Sequence, residues 1–468
     1  MRNSQVYQVL NGLHGKDINR LESMLESPFF NPRSDVLALL KLYKTEIKKQ
    51  RPGLSKEEVS LSLFKKENVS DQVLRTLYSN LYALVNKFLF YKYAEQDEFF
   101  KSRTLIKAYA QIGKREILLK NIYKAKKRQV KQVLRDAEHH RRMMHLEQEE
   151  YDYKSELTRS GDNNLQVLTD TLDVYYFSQK LKQACLMTIR QLVYKQDYDL
   201  DSFKHCLQYI DSKLELLDLH PSIALYYYCY CAMIRSESEN YFRLFREEIE
   251  KTKHQFDKDE VRLIYLLAIN YCIKRLNAGE GSYVKESFEL YKAGIENDSL
   301  LTNNTLSHFT YKNVVALGLG LKHYEWVENF IQEYKKNLNV KQRESSYTFN
   351  LAKLRQEQGN YTEAMSLLIH YNHDDPLMSL AAKTNLLKMY FELQEYESLE
   401  SLLNSMETYL SRKKVLSYHK KHYKNIIRFT KKMIKLPPYA KEAHQKLREE
   451  IEKADMRSEK EWFIAQLA

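Results

Sequence analysis

Apolar residues recur at steps of three and four along most of this chain, which is the period of an amphipathic α-helix. The pattern is densest over residues 70–94, where apolar side chains cover most of the circumference of the predicted helix. Such a helix is buried on nearly all sides. A capping box, Ser55-x-x-Glu58, predicts the start of the preceding helix, because the two side chains satisfy each other's free backbone N–H groups. Residues 1–97 are therefore predicted to form a small N-terminal helical domain.

This domain also has features of a helix-turn-helix. Three helices with a short connection between the last two are typical of that motif, and the helix after Ser70 would enter the DNA major groove. Only two basic residues, Arg75 and Lys87, occur in that helix before Tyr91. DNA binding needs a basic surface, whereas an apolar one has to be covered by protein. A buried helical core is the favoured interpretation, and DNA binding is the alternative.

Three further segments follow along the chain. Residues 98–162 are predicted to form long connecting helices, basic at first and acidic from Glu147 onward, with a polar linker at residues 159–164. Residues 163–436 are predicted to form successive helix pairs, which end where two consecutive prolines occur. Because proline cannot continue a helix, residues 437–468 are predicted to form a separate C-terminal capping helix.

A tyrosine marks the predicted start of the second helix in each pair. The six marking residues are Tyr198, Tyr241, Tyr283, Tyr324, Tyr361 and Tyr396. Their separations shorten from 43 to 35 residues along the chain, a period that fits stacked αα-hairpins. The pattern predicts an α-solenoid, in which each hairpin covers the open face of its neighbour.

Composition restricts the fold class and the compartment. Only 11 Gly and 7 Pro occur in 468 residues, too few for the connections of an all-β or α/β fold, so an all-α fold is predicted. Five cysteines without a C-x-x-C spacing fit neither a disulfide framework nor a zinc ribbon, and we expect buried thiols in a reducing compartment. The amino terminus lacks an apolar signal segment, and the longest uncharged stretch, residues 222–234, is too short to span a bilayer. A cytoplasmic protein without a membrane span is expected.

Residues 345–378 resemble the tetratricopeptide repeat. The matching residues are Leu351 and Ala352 in the first helix, Gly359 and Tyr361 at the turn, Ala364 in the second helix and Pro376 after it. The resemblance is clear over residues 305–410 and extends in degenerate form back to about residue 165. It implies an αα-hairpin (tetratricopeptide-like) solenoid that binds a peptide or protein in its concave groove. Elsewhere the chain is similar only in a general way to bacterial helical-repeat proteins, which implies no function.

The inner face of each first helix would line that groove. The register places seven residues there: Tyr226, Tyr271, Lys312, Phe349, Lys353, Lys388 and Phe391. Aromatic rings together with lysines suit a peptide that carries acidic groups. The asparagines of the family's carboxylate clamp are not at the matching positions, so that particular ligand is not implied.

The net charge of +12 is concentrated in two segments. Residues 114–142 carry eleven Lys or Arg and three acids, and residues 412–435 carry ten and none, so the rest of the chain is mildly acidic. Each segment has a helical stripe of cations, and the members are Lys120, Lys124, Lys127, Lys131 and Arg135 in the first and Lys420, Lys424, Arg428, Lys431 and Lys435 in the second. Such stripes suit a nucleic-acid backbone, an acidic protein segment or an anionic lipid surface. The alternative is a solvated face, or pairing with the acidic residues that begin at Glu147.

Catalytic motifs are missing from the sequence. Both Gly-Lys pairs lack the other residues of a phosphate-binding loop, and Gly318-x-Gly320 has neither a third glycine nor a preceding strand. The segment from His370 to Asp375 gathers two imidazoles and two carboxylates, but it falls on a turn where polar residues are expected in any case. We therefore predict no catalytic, cofactor-binding or metal-binding residue and no small-molecule substrate.

The predicted function is that of a non-enzymatic protein–protein interaction scaffold, an adaptor that binds a peptide or protein partner in the concave groove. The alternative is a nucleic-acid-associated regulatory protein that uses the two basic helix faces. An enzyme with an unfamiliar helical active site has only the segment from His370 to Asp375 in its favour.

Overall fold

The fold is all-α, as predicted. The structure is a computed structural model, and it describes residues 4–51, 54–66, 69–157, 163–194, 196–235, 237–371, 375–412, 417–437, 439–454 and 459–467. In these residues it holds 24 α-helices, two short 3₁₀ helices and one antiparallel hairpin of two-residue strands. The chain divides into two compact units: unit 1 is Met1–Val133 with Ala137–Tyr175, and unit 2 is Leu134–Asp136 with Tyr176–Ala468.

Unit 1 contains the first eight described helices and the beginning of the ninth. Their bounds are α1 Gln5–Asn11, α2 Gly15–Glu26, α3 Ser34–Lys48, α4 Lys56–Phe64, α5 Asp71–Gln96, α6 Glu98–Gln111, α7 Arg115–Val130, α8 Ala137–Leu157 and α9 Leu165–Tyr194. The boundary between the units falls within α9. Most of the predicted polar linker, up to residue 162, lies outside the described residues.

The N-terminal helices form the predicted apolar core. Both halves of the capping box form, since the Ser55 hydroxyl accepts from the backbone N–H of Glu58 and the Glu58 carboxylate accepts from the backbone N–H of Ser55. Ser70 caps α5 by accepting from the N–H of Val73 (3.4 Å). Six apolar residues of α5, spaced along one face, are buried in a cluster with residues of α1, α2, α3 and α4. Val73, Phe90, Tyr91 and Tyr93 are exposed, so α5 packs one face against the core of unit 1 and is not buried on nearly all sides as predicted.

An ion-pair network joins α7 to α8. Lys126 on α7 pairs with Glu147 (2.6 Å) and with Glu150, and Lys154 also pairs with Glu150 (2.7 Å). Both carboxylates are buried, and Lys126 is mostly so. Burial opposes ionisation of Glu150, but the hydrogen bonds from Lys126 and Lys154 outweigh it and lower the pKa of that carboxyl group. The basic and acidic segments therefore pair through Lys126, which is not a residue of the predicted stripe.

Unit 2 contains the end of α9 and the remaining helices. Their bounds are α10 Asp201–Asp211, α11 Glu215–Leu219, α12 Pro221–Ile234, α13 Ser238–Thr252, α14 Lys258–Asn277, α15 Tyr283–Glu296, α16 His308–Gly320, α17 Tyr324–Tyr334, α18 Arg343–Glu357, α19 Tyr361–Ile369, α20 Pro376–Glu392, α21 Tyr396–Arg412, α22 Ser417–Ile434, α23 Lys441–Lys453 and α24 Lys460–Ala465. The 3₁₀ helices are Lys253–Gln255 and Lys335–Asn337, and strand β1, Leu301–Thr302, pairs with β2, Thr305–Leu306.

Tyrosines begin four helices of unit 2. α15, α17, α19 and α21 each start at a residue that marks the sequence period, and each packs against the helix before it. α16 also packs against α18, and α18 against α20. Between α18 and α19, Gly359 has φ +78°, a left-handed conformation that glycine adopts without strain at a helix end. Ala352 and Ala364 are fully buried in the same helix pair. The solenoid itself stays a prediction.

Two further findings concern the state of the cysteines and the capacity of the helices to cross a membrane. All five cysteines are free and buried. Among the described residues, no helix combines the length and the apolar character that crossing a bilayer requires.

Candidate functional site

A cleft with a volume of about 870 Å³ opens between α21, α22 and α23. All five residues of the second predicted stripe line it: Lys420, Lys424, Arg428, Lys431 and Lys435. The other lining residues are Glu407, Leu410, Ser411, Ile427, Lys432, Leu436, Ala443, Lys446, Leu447 and Glu450. We call this site the cationic cleft.

The amphipathic pattern of α22 places the cations in the cleft. On its other side Ile426 and Phe429 are buried in an apolar cluster that includes Leu403 of α21 and Ile451 of α23. The described residues of α22 contain no acid, so intrahelical ion pairs do not support this helix, and like charges three or four residues apart oppose it. Apolar burial therefore holds α22 in place and leaves its cations facing the cleft.

The floor of the cleft is apolar and its rim is cationic. Leu436 and Ala443 are half-buried and form the accessible part of the floor, and beneath them lie Leu410, Ile427 and Leu447 from three different helices, which are 2%, 2% and 4% exposed. Seven Lys or Arg side chains stand around it. Clustered charge of one sign around a low-dielectric floor concentrates the electric field and attracts ligands of the opposite charge. The cleft is therefore suited to an anionic ligand that also has an apolar part.

Two of the seven cations have carboxylate partners. Lys431 pairs with Glu407 (2.8 Å), and Lys432 pairs with Glu450 (2.5 Å). The hydrogen bond from Lys432 lowers the pKa of Glu450, and the charge of Arg428 contributes to this. Within the described part of the chain, the other five cations have no carboxylate partner: Lys420, Lys424, Arg428, Lys435 and Lys446.

The first predicted stripe does not continue as far as its spacing suggests. Lys120, Lys124 and Lys127 are exposed on α7, and Lys131 is exposed directly after its end. The structure does not place Arg135 in the stripe on α7. Arg135 belongs to unit 2, and its guanidinium donates to the carbonyl of Leu134 (2.7 Å). Because α7 ends at Val130, steps of three and four no longer fix the side on which later residues lie.

Three predicted groove residues are core residues instead. Tyr226, Tyr271 and Phe349 are 1%, 3% and 1% exposed, so they offer no surface to a ligand. The hydroxyl of Tyr226 donates to Glu260 (2.5 Å), and the ring of Tyr271 stacks on that of Phe242, with centroids 4.2 Å apart. The first helices of these pairs are enclosed by neighbours on more than one side, which a local register does not reveal.

The other four predicted groove residues lie near the C-terminal segment. Lys312, Lys353, Lys388 and Phe391 are all half-buried. Lys388 pairs with Glu459, and its ammonium group lies 5.5 Å from the ring centroid of Trp462. The ring of Phe391 also lies 5.5 Å from that of Trp462, centroid to centroid. We call Lys312, Lys353 and Lys388 the inner-helix lysines.

No protein-family model, curated protein or solved structure matches this chain. The tetratricopeptide resemblance therefore rests on the residues that carry it.

One group of carboxylates comes close together elsewhere in unit 2. Oxygen atoms of Asp136, Asp257 and Glu260 lie within 4.8 Å of one another. Glu260 accepts hydrogen bonds from Lys182 (2.9 Å) and Tyr226, and Asp257 caps α14 by accepting from the N–H of Glu260 (2.9 Å). We assign the group no ligand, because these contacts already engage its carboxylates.

The histidine segment considered in the sequence is only partly described. His370 is exposed at the end of α19, and Asp375 caps α20 by accepting from the N–H of Leu377 (2.9 Å). Residues 372–374 lie outside the described residues. Nothing in the described residues of this segment adds to the case for an active site.

Several residues of the cationic cleft, and of the contacts around the inner-helix lysines, were not identified from the sequence. Lys446 and Glu450 are on α23, which the sequence suggested only as a cap, and Lys432 is next to a stripe residue. Glu459 and Trp462 were likewise assigned only to the cap. The signal for Lys446 and Glu450 is the amphipathic pattern of α23, whose buried Leu447 and Ile451 fix the side on which the charges lie.

Proposed function

We propose that this protein is an adaptor without catalytic activity, and that it binds an acidic amphipathic helix of a partner protein in the cationic cleft. One observation carries the proposal: five cations that have no carboxylate partner among the described residues surround an apolar floor. Apolar side chains of the partner would cover the floor, and its carboxylates would meet the rim.

The length of the stripe sets the length of the partner segment. The stripe runs from Lys420 to Lys435, and at about 1.5 Å per residue this is roughly 22 Å along α22. A partner helix of about four turns, with acids at steps of three and four, would place several carboxylates opposite these cations. Opposite charges aligned in this way increase the association rate and select the orientation of the partner.

The apolar floor favours a protein partner over a nucleic acid. Nonspecific nucleic-acid binding is carried by phosphate contacts from Lys and Arg, and it gains nothing from covering the half-buried Leu436 and Ala443. Protein interfaces combine an apolar centre with a polar rim, which is the arrangement in the cleft. Nucleic-acid binding is the competing function that the experiment below has to separate.

The proposal includes a tetratricopeptide-like solenoid as the scaffold for the cleft. Support comes from α15, α17, α19 and α21, which begin at the periodic tyrosines, and from the packing of α18 against α16 and α20. In such a scaffold the cleft would lie next to the final repeat, because α21 is the second helix of that repeat and α22 follows it directly.

Reversing two charges on the rim tests the proposal. We expect the double variant Lys424→Glu/Arg428→Glu to bind an acidic amphipathic peptide of about 18 residues roughly 30-fold or more weakly than the unchanged protein does. Each exposed ion pair contributes up to about 1 kcal/mol, and reversal replaces two attractions with two repulsions. Fluorescence anisotropy of the labelled peptide at low salt measures the affinity.

Controls separate charge, fold and partner class. The matched variant Lys120→Glu/Lys124→Glu makes the same change in net charge on α7, and it should leave peptide affinity unchanged. New glutamates on α22 would pair with neighbouring lysines, so helicity by circular dichroism should be retained. The proposal is wrong if a scrambled peptide of the same composition binds equally well. It is also wrong if generic nucleic acid binds the cleft, with loss in the Lys424→Glu/Arg428→Glu variant, while the peptide does not bind.

A further inference from the structure

We infer that the three inner-helix lysines form a second binding site, for a small ligand that carries a phosphate group, and that Glu459 competes with this ligand. The site is separate from the cationic cleft, and the inference does not depend on the proposed function.

The three lysines lie on packed helices from different parts of the chain. Lys312 is on α16, Lys353 on α18 and Lys388 on α20. α18 packs against both of the other helices, and all three lysines are half-buried. The ammonium group of Lys312 lies 5.9 Å from the ring centroid of the buried Phe349, so an aromatic ring lies against this cation.

Two of the three ammonium groups lack a counter-charge in contact. In the described residues, Lys388 pairs with Glu459, whereas Lys312 and Lys353 have no carboxylate partner. The carboxylate of Asp375 caps α20, and its negative charge also acts on Lys312. Burial lowers the pKa of Lys353, and the charges of Lys312 and Lys388 lower it further. A half-buried cation beside other cations is costly unless an anion joins it.

A phosphate group would supply Lys312 and Lys353 with both a negative charge and hydrogen-bond acceptors. It carries a charge of about −1.5 to −2 near neutral pH and offers three strongly accepting oxygens. Lysine ammonium groups bind phosphate as point charges, and each has three N–H donors.

Glu459 occupies part of the same positive region. It precedes α24, whose Trp462 side chain donates from Nε1 to Glu392 of α20 (2.6 Å). This contact holds the C-terminal segment against α20, next to Lys388. Burial lowers the pKa of both Lys312 and Lys353, and the negative charge of Glu459 partly offsets this lowering, together with Asp375 at Lys312. A phosphate at these lysines would be repelled by Glu459.

Isothermal titration of the full chain with inorganic phosphate, at constant ionic strength, tests the inference. We expect Lys353→Gln to weaken phosphate binding at least tenfold and Glu459→Gln to strengthen it several-fold. Lys383→Gln is the matched control: Lys383 is also half-buried on α20, but it donates to Ser405 (3.1 Å) outside the site, and phosphate affinity should not change.

Thermal unfolding distinguishes a variant that has lost the binding site from one that has lost its fold. Lys353→Gln removes a poorly matched buried charge, so this variant should unfold at the same temperature as the unchanged protein or higher. Binding that appears only in Glu459→Gln would support the inference, because it would show the competing carboxylate at work. Absence of binding in both proteins, equal affinity in Lys353→Gln, or weaker binding in Glu459→Gln would overturn it.

Discussion

Replacing Lys126 with methionine is expected to lower the free energy of unfolding of unit 1 by about 3–5 kcal/mol, because it takes the cation from the buried Glu147 and one of the two cations from the buried Glu150. Glu147 and Glu150 are both buried, and Lys126 contacts both. Methionine keeps the length of the side chain, so the loss would come from the charge. Hydrogen exchange of α7 and α8 in the full chain, measured by mass spectrometry, would show the weakened unit directly.

The same variant has a predictable pH dependence. The pKa of Glu150 is lowered from its ordinary 4.5 in the folded protein, so its pairing stabilises the fold above that pH, and this contribution is lost as the pH falls through the folded pKa. The difference between the variant and the unchanged protein should therefore shrink in acid. The neighbouring Lys127 is exposed and has no carboxylate partner in the described residues, so Lys127→Met should change stability by less than about 0.5 kcal/mol. Equal losses in the two variants would contradict the assignment of the network.

Two glycines of one helix should respond in opposite directions to replacement by alanine. In Gly318→Ala the new Cβ would lie 2.5 Å from Cγ2 of Val327 and 3.2 Å from Cε2 of Phe288, and both neighbours are buried. Overpacking of this kind costs about 1–3 kcal/mol. The melting temperature should fall by roughly 2–12 °C, given about 2–4 °C per kcal/mol for a unit of this size.

Gly320→Ala is the matched control for that substitution. Its new Cβ would meet only Cγ1 of Val284, at 3.9 Å, which is an ordinary van der Waals distance. Alanine is favoured over glycine in a helix by up to about 1 kcal/mol, so thermal stability should be unchanged or slightly raised. If Gly318→Ala melts at the same temperature as the unchanged protein, then α16 does not pack closely against α15 and α17.

The local sequence pattern was sufficient to predict features that depend on a single helix. The stripe on α22 could be predicted because its apolar positions, among them Ile426 and Phe429, fix the buried side and so the side of the cations. Helix starts at Tyr324 and Tyr361 followed from the period in the same way. The prediction could not extend to Arg135, because the end of α7 depends on its surroundings.

Features made by several helices could not be predicted from spacing. The cationic cleft needs α21 and α23 beside α22, and nothing in the stripe indicates that Lys446 would face it. The burial of Tyr226 depends on which neighbours enclose α12, and a tyrosine fits both a core and a groove. The contact between Lys388 and Glu459 joins residues that are far apart in the chain, and no local rule relates them.

Site-directed photocrosslinking from the cationic cleft tests the central claim most directly. Ser411 is exposed and lines the cleft, and a photoreactive amino acid placed there in the full chain would react with whatever occupies it in the cells that produce the protein. The account predicts a crosslink that maps to a partner helix with acids at steps of three and four and an apolar opposite face, lost in Lys424→Glu/Arg428→Glu. A crosslink to nucleic acid, or to a segment without that pattern, would contradict it.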